Sequence, residues 1–189
     1  MQRREAIQKT VLILGGALAG TEVLITACQP NAPTNVAGVI QALNPRLLEE
    51  IADVIIPDTP DSPGAKKAKV GDFMKLILQD CYAEEEQKIM AQGLEELEKT
   101  CHKEFQSGFI ELKPEEKQQT LLKIDREAKD YEKNRQENTP AHYFTLVKRL
   151  TTFAYFSSEI GTTKALRYNP IPKRFEGCVP YKAGEKAWA

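Results

Sequence analysis

Hydrophobic residues repeat at helical spacing along five segments of the chain, and no segment alternates as a half-buried strand does. Prolines and capping residues mark where most of these segments start or stop, and Pro57 ends the first of them. The pattern predicts an all-α protein, a helical bundle of about five main helices. The predicted helix starts are Asn44-Pro45, Asp72, Glu84, Pro114 and Thr139-Pro140.

The apolar stripes indicate which side of each helix faces the core. The fifth segment is the most apolar, so we expect it to occupy the centre of the bundle. The residues expected on the apolar sides of the second, fourth and fifth helices include Phe73, Leu76, Cys81, Leu121, Leu122, Tyr131, Phe144, Leu150, Phe153 and Phe156.

Residues 157–181 differ from the bundle in composition. They are rich in Gly, Pro, Tyr and Arg, and helical periodicity ends after Tyr168. Ser157 or Ser158 is placed to cap a short helix through Leu166. A long irregular segment of this composition either packs over its own bundle or contacts a partner, and the composition alone favours neither.

The N-terminus has the pattern of an export signal. Arg3 and Arg4 precede an apolar or small stretch over residues 11–20, and small residues follow. The paired arginines indicate the twin-arginine route, which carries folded proteins. The match is partial, because Ala6-Ile7 replaces the usual aromatic residue or leucine. An uncleaved signal anchor is the alternative.

Ile25-Thr26-Ala27-Cys28 resembles a lipoprotein box, in which Cys28 becomes the lipidated first residue of the mature chain. The alternative is that Cys28 is an incidental thiol. Residues 29–42 are small, polar and Pro-containing, which predicts a flexible tether. Residues 1–28 would then be the signal, and residues 43–189 a single helical domain on a membrane-anchored periplasmic protein.

Charge and composition argue against several functions. The 26 basic and 27 acidic residues give a net charge of −1, which disfavours a nucleic-acid binder. No Cys-x-x-Cys-His or Gly-x-Gly-x-x-Gly pattern is present, so we predict no cofactor bound by this chain. Neither His102, four residues after Glu98, nor His142 has the partners of a metal site, and a solvated helix face is the preferred interpretation of His102. We therefore predict no metal ligands and no catalytic residues.

Three cysteines remain in the body of the chain, namely Cys81, Cys101 and Cys178. In an oxidising compartment at most one disulfide can form among them, and three pairings are open. Buried core thiols are an equally good interpretation.

Two stretches of sequence carry a family resemblance. The first reads LLEEIADVIIPDTPDSPGAKKAKVGDFM, and the second reads LTTFAYFSSEIGTTKALRYNPIPKRFEGCVPY. Together they resemble the gluconate 2-dehydrogenase subunit 3 family over about residues 43–181. The most specific positions are Ile55-Ile56-Pro57, Ser158, Gly161, Leu166, Tyr168, Pro172, Glu176, Gly177 and Cys178.

The resemblance implies a non-catalytic small, or gamma, subunit of a sugar or sugar-acid dehydrogenase. The expected partners are a large FAD-dependent subunit of the glucose-methanol-choline type, a c-type cytochrome carrying haem, and the twin-arginine export machinery. The family implies that the small subunit supports maturation and export of the flavoprotein. The surface residues expected to contact the partner are Tyr155, Glu159, Arg167, Tyr168, Arg174 and Tyr181.

Two other functions remain as alternatives. One is a stand-alone lipid-anchored binding or scaffold protein, which the absence of a neighbouring flavoprotein gene would favour. The other is an enzyme in its own right, which bound metal or flavin in the protein purified alone would favour.

Overall fold

The computed structural model describes residues 36–171, 173–174, 178–180 and 182–188. These residues contain no strand, and they confirm the predicted all-α bundle of five main helices, preceded by one short helix. A 3-10 turn at Phe109–Glu111 and a π turn at Gly161–Ala165 complete the regular structure. The helices are α1 (Val36–Ala42), α2 (Pro45–Ile55), α3 (Val70–Cys81), α4 (Glu84–Phe105), α5 (Pro114–Asn134) and α6 (Tyr143–Phe156). Arg3, Arg4 and Cys28 of the predicted export signal lie outside the described residues.

Helix α1 occupies the second half of the segment predicted to be a tether. Its Ile40 side chain is fully buried, and the helix packs against α3 and α4. The ammonium group of Lys75 on α3 also donates to the carbonyl of Gln41 at 2.6 Å. The prediction of a flexible tether over residues 29–42 is therefore wrong for residues 36–42, because burial of an apolar side chain fixes this helix on the bundle.

The starts of α2 and α6 show how local capping sets the helix boundaries. The Asn44 side chain accepts a hydrogen bond from the Arg46 amide at 3.0 Å, as the Asn-Pro pair predicts. Helix α6 begins three residues after Pro140, because Nδ1 of His142 accepts from the Phe144 amide at 3.2 Å. Burial lowers the pKa of His142, which keeps this nitrogen free to accept.

Helix α6 lies at the centre of the bundle, as predicted, and packs against α2, α3, α4 and α5. Its Tyr143 ring covers Gly93 of α4 so closely that a Cβ atom there would lie 2.0 Å from the ring. Burial raises the pKa of Tyr143. Any side chain at position 93 would therefore push α4 and α6 apart.

One charged cluster lies inside the bundle. The Glu50 carboxylate on α2 is 7% exposed and accepts hydrogen bonds at 2.7 Å from both Lys66 and Lys117. Burial alone would raise the pKa of Glu50, but the hydrogen bonds from Lys117 and Lys66 outweigh it and lower that pKa. The cluster connects α2 to α5 and to the loop before α3.

Several apolar side chains that were expected to face the core are instead exposed. The helices carry more apolar residues than their neighbours cover, so the outer edges of the stripes remain in contact with solvent. Tyr131 is half-exposed and donates a hydrogen bond to the carbonyl of Pro140 at 3.0 Å. The others are Phe73, Leu76, Leu122, Phe153 and Phe156.

Candidate partner-binding surface

Tyr155 joins the end of α6 to the loop over residues 57–69. Its side chain is 2% exposed, its hydroxyl donates to the carbonyl of Pro63, and the Ser62 hydroxyl lies 2.9 Å away. The prediction that Tyr155 is a surface contact is therefore wrong. Its ring is buried in the core, and its hydroxyl is hydrogen-bonded within the protein.

Ser158 and Gly161 lie at the start of a short helical segment that follows a bend after α6. The Ser158 hydroxyl donates to the Tyr155 carbonyl at 2.6 Å and accepts from the Gly161 amide at 3.0 Å. A Cβ atom at position 161 would lie 1.9 Å from the same carbonyl oxygen, so only glycine fits here. The predicted short helix is therefore present with Ser158 as its cap: residues 159–165 are helical, with π geometry over Gly161–Ala165, and the helix ends at Leu166. The Ser-x-x-Gly motif thus fixes where the C-terminal segment leaves the bundle.

Arg167 binds the end of its own chain. Its guanidinium carbon lies 4.1 Å from the centre of the Trp188 ring, and Nη1 lies 3.3 Å from Glu185. The Arg167 amide also donates to the carbonyl of Ala187 at 2.8 Å. We name the described residues 182–188 the C-terminal strap. Lys186 of the strap donates to the carbonyls of Asp61 and Lys164.

The other predicted contact residues differ in exposure and in whether the structure describes them. Glu159 and Arg174 are exposed, and Tyr168 is 55% exposed. Tyr181 lies outside the described residues. Arg167 is partly covered by the strap, so it is less available to a partner than predicted. The partner-contact role of these residues stays a prediction.

The three described cysteines are free thiols. Cys81 and Cys178 are exposed, whereas Cys101 is buried in the core. Burial raises the pKa of Cys101 to about 11, with Glu98 and Glu104 adding to the effect. The interpretation as a buried core thiol therefore fits Cys101. The prediction that Cys81 lies on the apolar side of its helix is wrong, because Cys81 is exposed.

An exposed apolar surface spans α3 and α6, and the sequence did not predict it. The rings of Phe73 and Phe153 stack with centroids 6.1 Å apart, and Leu76 and Phe156 follow one helical turn later on their helices. We name Phe73, Leu76, Phe153 and Phe156 the aromatic surface. Helical periodicity marked these residues as apolar but could not reveal that they stay exposed among the described residues.

An open cavity of about 460 Å³ adjoins Phe153 along α6. Its lining includes Lys148 and Arg149, so the aromatic surface has a basic border on this side. Lys148 forms a salt bridge with Asp125, whereas Arg149 forms none with any described residue. On this side, the cation without a salt bridge to a described residue is therefore Arg149, whereas the exposed carboxylate of Asp72 lies next to Phe73 on the α3 side.

The two histidines lie in different surroundings, and His142 caps α6 as described above. His102 is exposed, and the Glu98 carboxylate accepts from the Phe109 amide at 3.3 Å. Within the described ranges, no group of three or more His, Cys, Asp and Glu residues is arranged to hold a metal ion. In the same ranges, no helix combines the length and the apolar character needed to cross a membrane.

The fold and surfaces define a small all-α protein with exposed apolar side chains on its helices and on its C-terminal segment. Residues 43–172 match the family model described as gluconate 2-dehydrogenase subunit 3. The chain belongs to the gluconate 2-dehydrogenase subunit 3 family, whose name associates its members with a dehydrogenase complex. The match runs from just before α2 to position 172, so the predicted similarity over residues 173–181 lies beyond it. Comparisons with curated proteins and with solved structures gave no match.

Proposed function

We propose that this chain is the non-catalytic accessory subunit of a periplasmic, flavin-dependent sugar or sugar-acid dehydrogenase. In this proposal the large FAD-containing subunit carries out catalysis, and a c-type cytochrome accepts the electrons. The small subunit supports maturation of the flavoprotein and its export in the folded state. Lipidated Cys28 attaches the complex to the membrane.

The family match over residues 43–172 is the observation that carries this proposal. The arginine pair at the N-terminus supports folded export, because the twin-arginine route accepts proteins that have already folded with their partners. The exposed apolar residues of the C-terminal segment support a protein contact, since apolar groups at a surface gain by being covered. Tyr168, Ile171 and Val179 are the members described there, each more than half exposed.

The first test is affinity purification from the native membrane fraction, followed by an absorption spectrum and mass spectrometry. We expect a yellow complex that contains a flavin dehydrogenase. A colourless protein that arrives alone, under conditions that preserve complexes, would contradict the accessory-subunit function and favour a stand-alone anchored module.

The second test concerns export. Replacing Arg3 and Arg4 by Lys keeps the charge but removes the guanidinium pair. We expect the variant to leave both this protein and its flavoprotein in the cytoplasm. Export of the flavoprotein at the wild-type level would exclude a shared signal. Cys28→Ser serves as the matched control, because it removes the lipid site and leaves the arginine pair intact.

A further inference from the structure

We propose that the aromatic surface of α3 and α6, together with Arg149, is the docking site for the catalytic subunit of the dehydrogenase complex. The occupant is a folded protein face that presents apolar side chains next to a carboxylate. This inference rests on the proposed function, because it locates the partner contact on a surface that the sequence did not indicate.

Exposure of the ring pair is the first observation. Phe73 is 37% exposed and Phe153 is 53% exposed, although their rings stack on each other. Leu76 at 52% and Phe156 at 40% extend the surface along both helices. Four large apolar side chains on one continuous face would be covered in an assembly, and aromatic residues are enriched at the centres of interfaces.

Charge is the second observation, and it specifies the occupant. Arg149 lies one helical turn before Phe153 and lines the cavity beside that ring. Lys148 in the same cavity is already paired with Asp125, so Arg149 is the cation that this side of the surface offers to a partner; the exposed Asp72 lies at the opposite side, beside Phe73. A partner face with a carboxylate beside an apolar group would match both the exposed rings and the charge of Arg149. Arginine at an interface binds carboxylates in bidentate geometry.

Continuity with the C-terminal segment is the third observation. The Phe156 carbonyl accepts a hydrogen bond from the Thr162 hydroxyl at 3.1 Å, within the turn that leads to Tyr168. The aromatic surface therefore adjoins the segment that the sequence predicted to contact the partner. A subunit bound on the aromatic surface would therefore lie next to the start of the C-terminal segment.

Helix α5 provides a matched control. Leu122 is 49% exposed, which is close to the exposure of Phe153, and Arg126 is an exposed arginine on the same helix. Neither residue belongs to the aromatic surface. Substitutions at these two positions remove an exposed apolar side chain and an exposed positive charge outside the proposed docking site.

The experiment co-expresses the tagged full chain with the dehydrogenase subunit identified by the purification described above. The variants are the double substitution Phe73→Ser with Phe153→Ser, the single substitution Arg149→Glu, and the controls Leu122→Ser and Arg126→Glu. We expect the first two to weaken capture about tenfold or more, as truncation of an interface anchor does, with unchanged helical circular dichroism. The controls should capture as the wild type does.

Several outcomes would overturn the inference. If the wild-type chain captures the flavoprotein and the test variants capture it equally well, the partner binds elsewhere and the proposed function still stands. If the wild-type chain captures no dehydrogenase, the proposed function fails and this docking site fails with it. If light scattering shows that the purified wild type is a dimer that Phe153→Ser dissociates, a second copy occupies the surface instead.

Discussion

The ammonium group of Lys117 lies 2.7 Å from the carboxylate of Glu50, and both side chains are almost entirely removed from solvent. Lys66 completes the charge pairing from a position that is half-exposed. Buried ions of opposite sign stabilise a fold only while both are present, because either one alone is an uncompensated charge. The link between α2 and α5 is therefore sensitive to any change at Glu50.

Replacing Glu50 by Gln should lower the free energy of unfolding by about 3 kcal/mol, since Lys117 would keep its buried charge without a partner. Urea unfolding at neutral pH, followed by circular dichroism, measures this loss. Glu95→Gln is the control, because Glu95 pairs with Lys99 on the exposed face of α4. The control should change stability by less than about 1 kcal/mol. Equal effects of the two substitutions would contradict the role of the cluster.

The same variant gives a test of pH dependence. The pKa of Glu50 is lowered from its ordinary value of 4.5, so its contribution is complete above that pH and is lost as the pH falls through the lower folded value. The stability difference between wild type and Glu50→Gln should therefore shrink below pH 4.5. Asp53 has a raised pKa, chiefly from burial, and acts in the opposite direction. Its burial is common to both proteins, so only the smaller part of that shift that comes from the Glu50 charge remains in the difference.

Tyr155→Phe should destabilise the protein by about 1–2 kcal/mol, because the Pro63 carbonyl and the Ser62 hydroxyl lose a buried partner. Thermal unfolding measures the effect. Tyr168→Phe is the matched control, since Tyr168 is 55% exposed and its substitution should cost less than about 0.5 kcal/mol. A neutral Tyr155→Phe would show that the hydroxyl contacts add nothing to stability.

Cysteine labelling should distinguish the thiols. Cys101 is buried and its pKa is raised to about 11, so little thiolate forms at pH values near 8 and reagents cannot reach it. We expect iodoacetamide to modify Cys81 and Cys178 in the folded protein and Cys101 only after unfolding. Peptide mapping by mass spectrometry assigns the sites. Rapid labelling of Cys101 in the native state would contradict its position in the core.

The contact between Arg167 and Trp188 should be visible in fluorescence, because Trp188 is the single tryptophan of the chain. Arg167→Ala uncovers one face of the indole ring, so acrylamide quenching should become stronger and the emission should shift to longer wavelength. Arg126→Ala is the control, as Arg126 lies on α5. Identical quenching in both variants would mean that the C-terminal strap does not stay on Arg167 in solution.

The sequence predicted those features of the fold that depend on neighbouring residues. Pro45 and Pro114 marked true helix starts, and the apolar repeat from Glu84 marked the first residue of α4. The shift of the start of α6 was not predictable, because histidine is not a usual capping residue and His142 caps only in this setting. The helix at Ile40 was missed because the prolines and polar residues at positions 29–35 dominated the prediction for residues 29–42, whereas the burial of Ile40 depends on packing against α3 and α4.

The candidate surface was predicted less well than the fold. Periodicity places Phe153 and Phe156 on the apolar stripe of α6, but their exposure depends on which elements pack beside that helix, and both remain exposed. Tyr155 was taken for an exposed contact because its hydroxyl partners lie far away in sequence, at Ser62 and Pro63. Contacts between distant segments leave no local pattern.

The bond between Tyr155 and Ser62 also has a kinetic consequence. The two residues are 93 positions apart, and closing so long a loop is favourable only after the intervening helices have packed. Lys186 of the strap donates to the carbonyl of Asp61 in the same loop as Ser62, 125 positions away, so we also expect the C-terminal segment to take its place late in folding. In a refolding experiment, we expect the Trp188 signal to follow the gain of helix. A partner that recognises this segment would therefore bind only chains whose helical bundle has already folded.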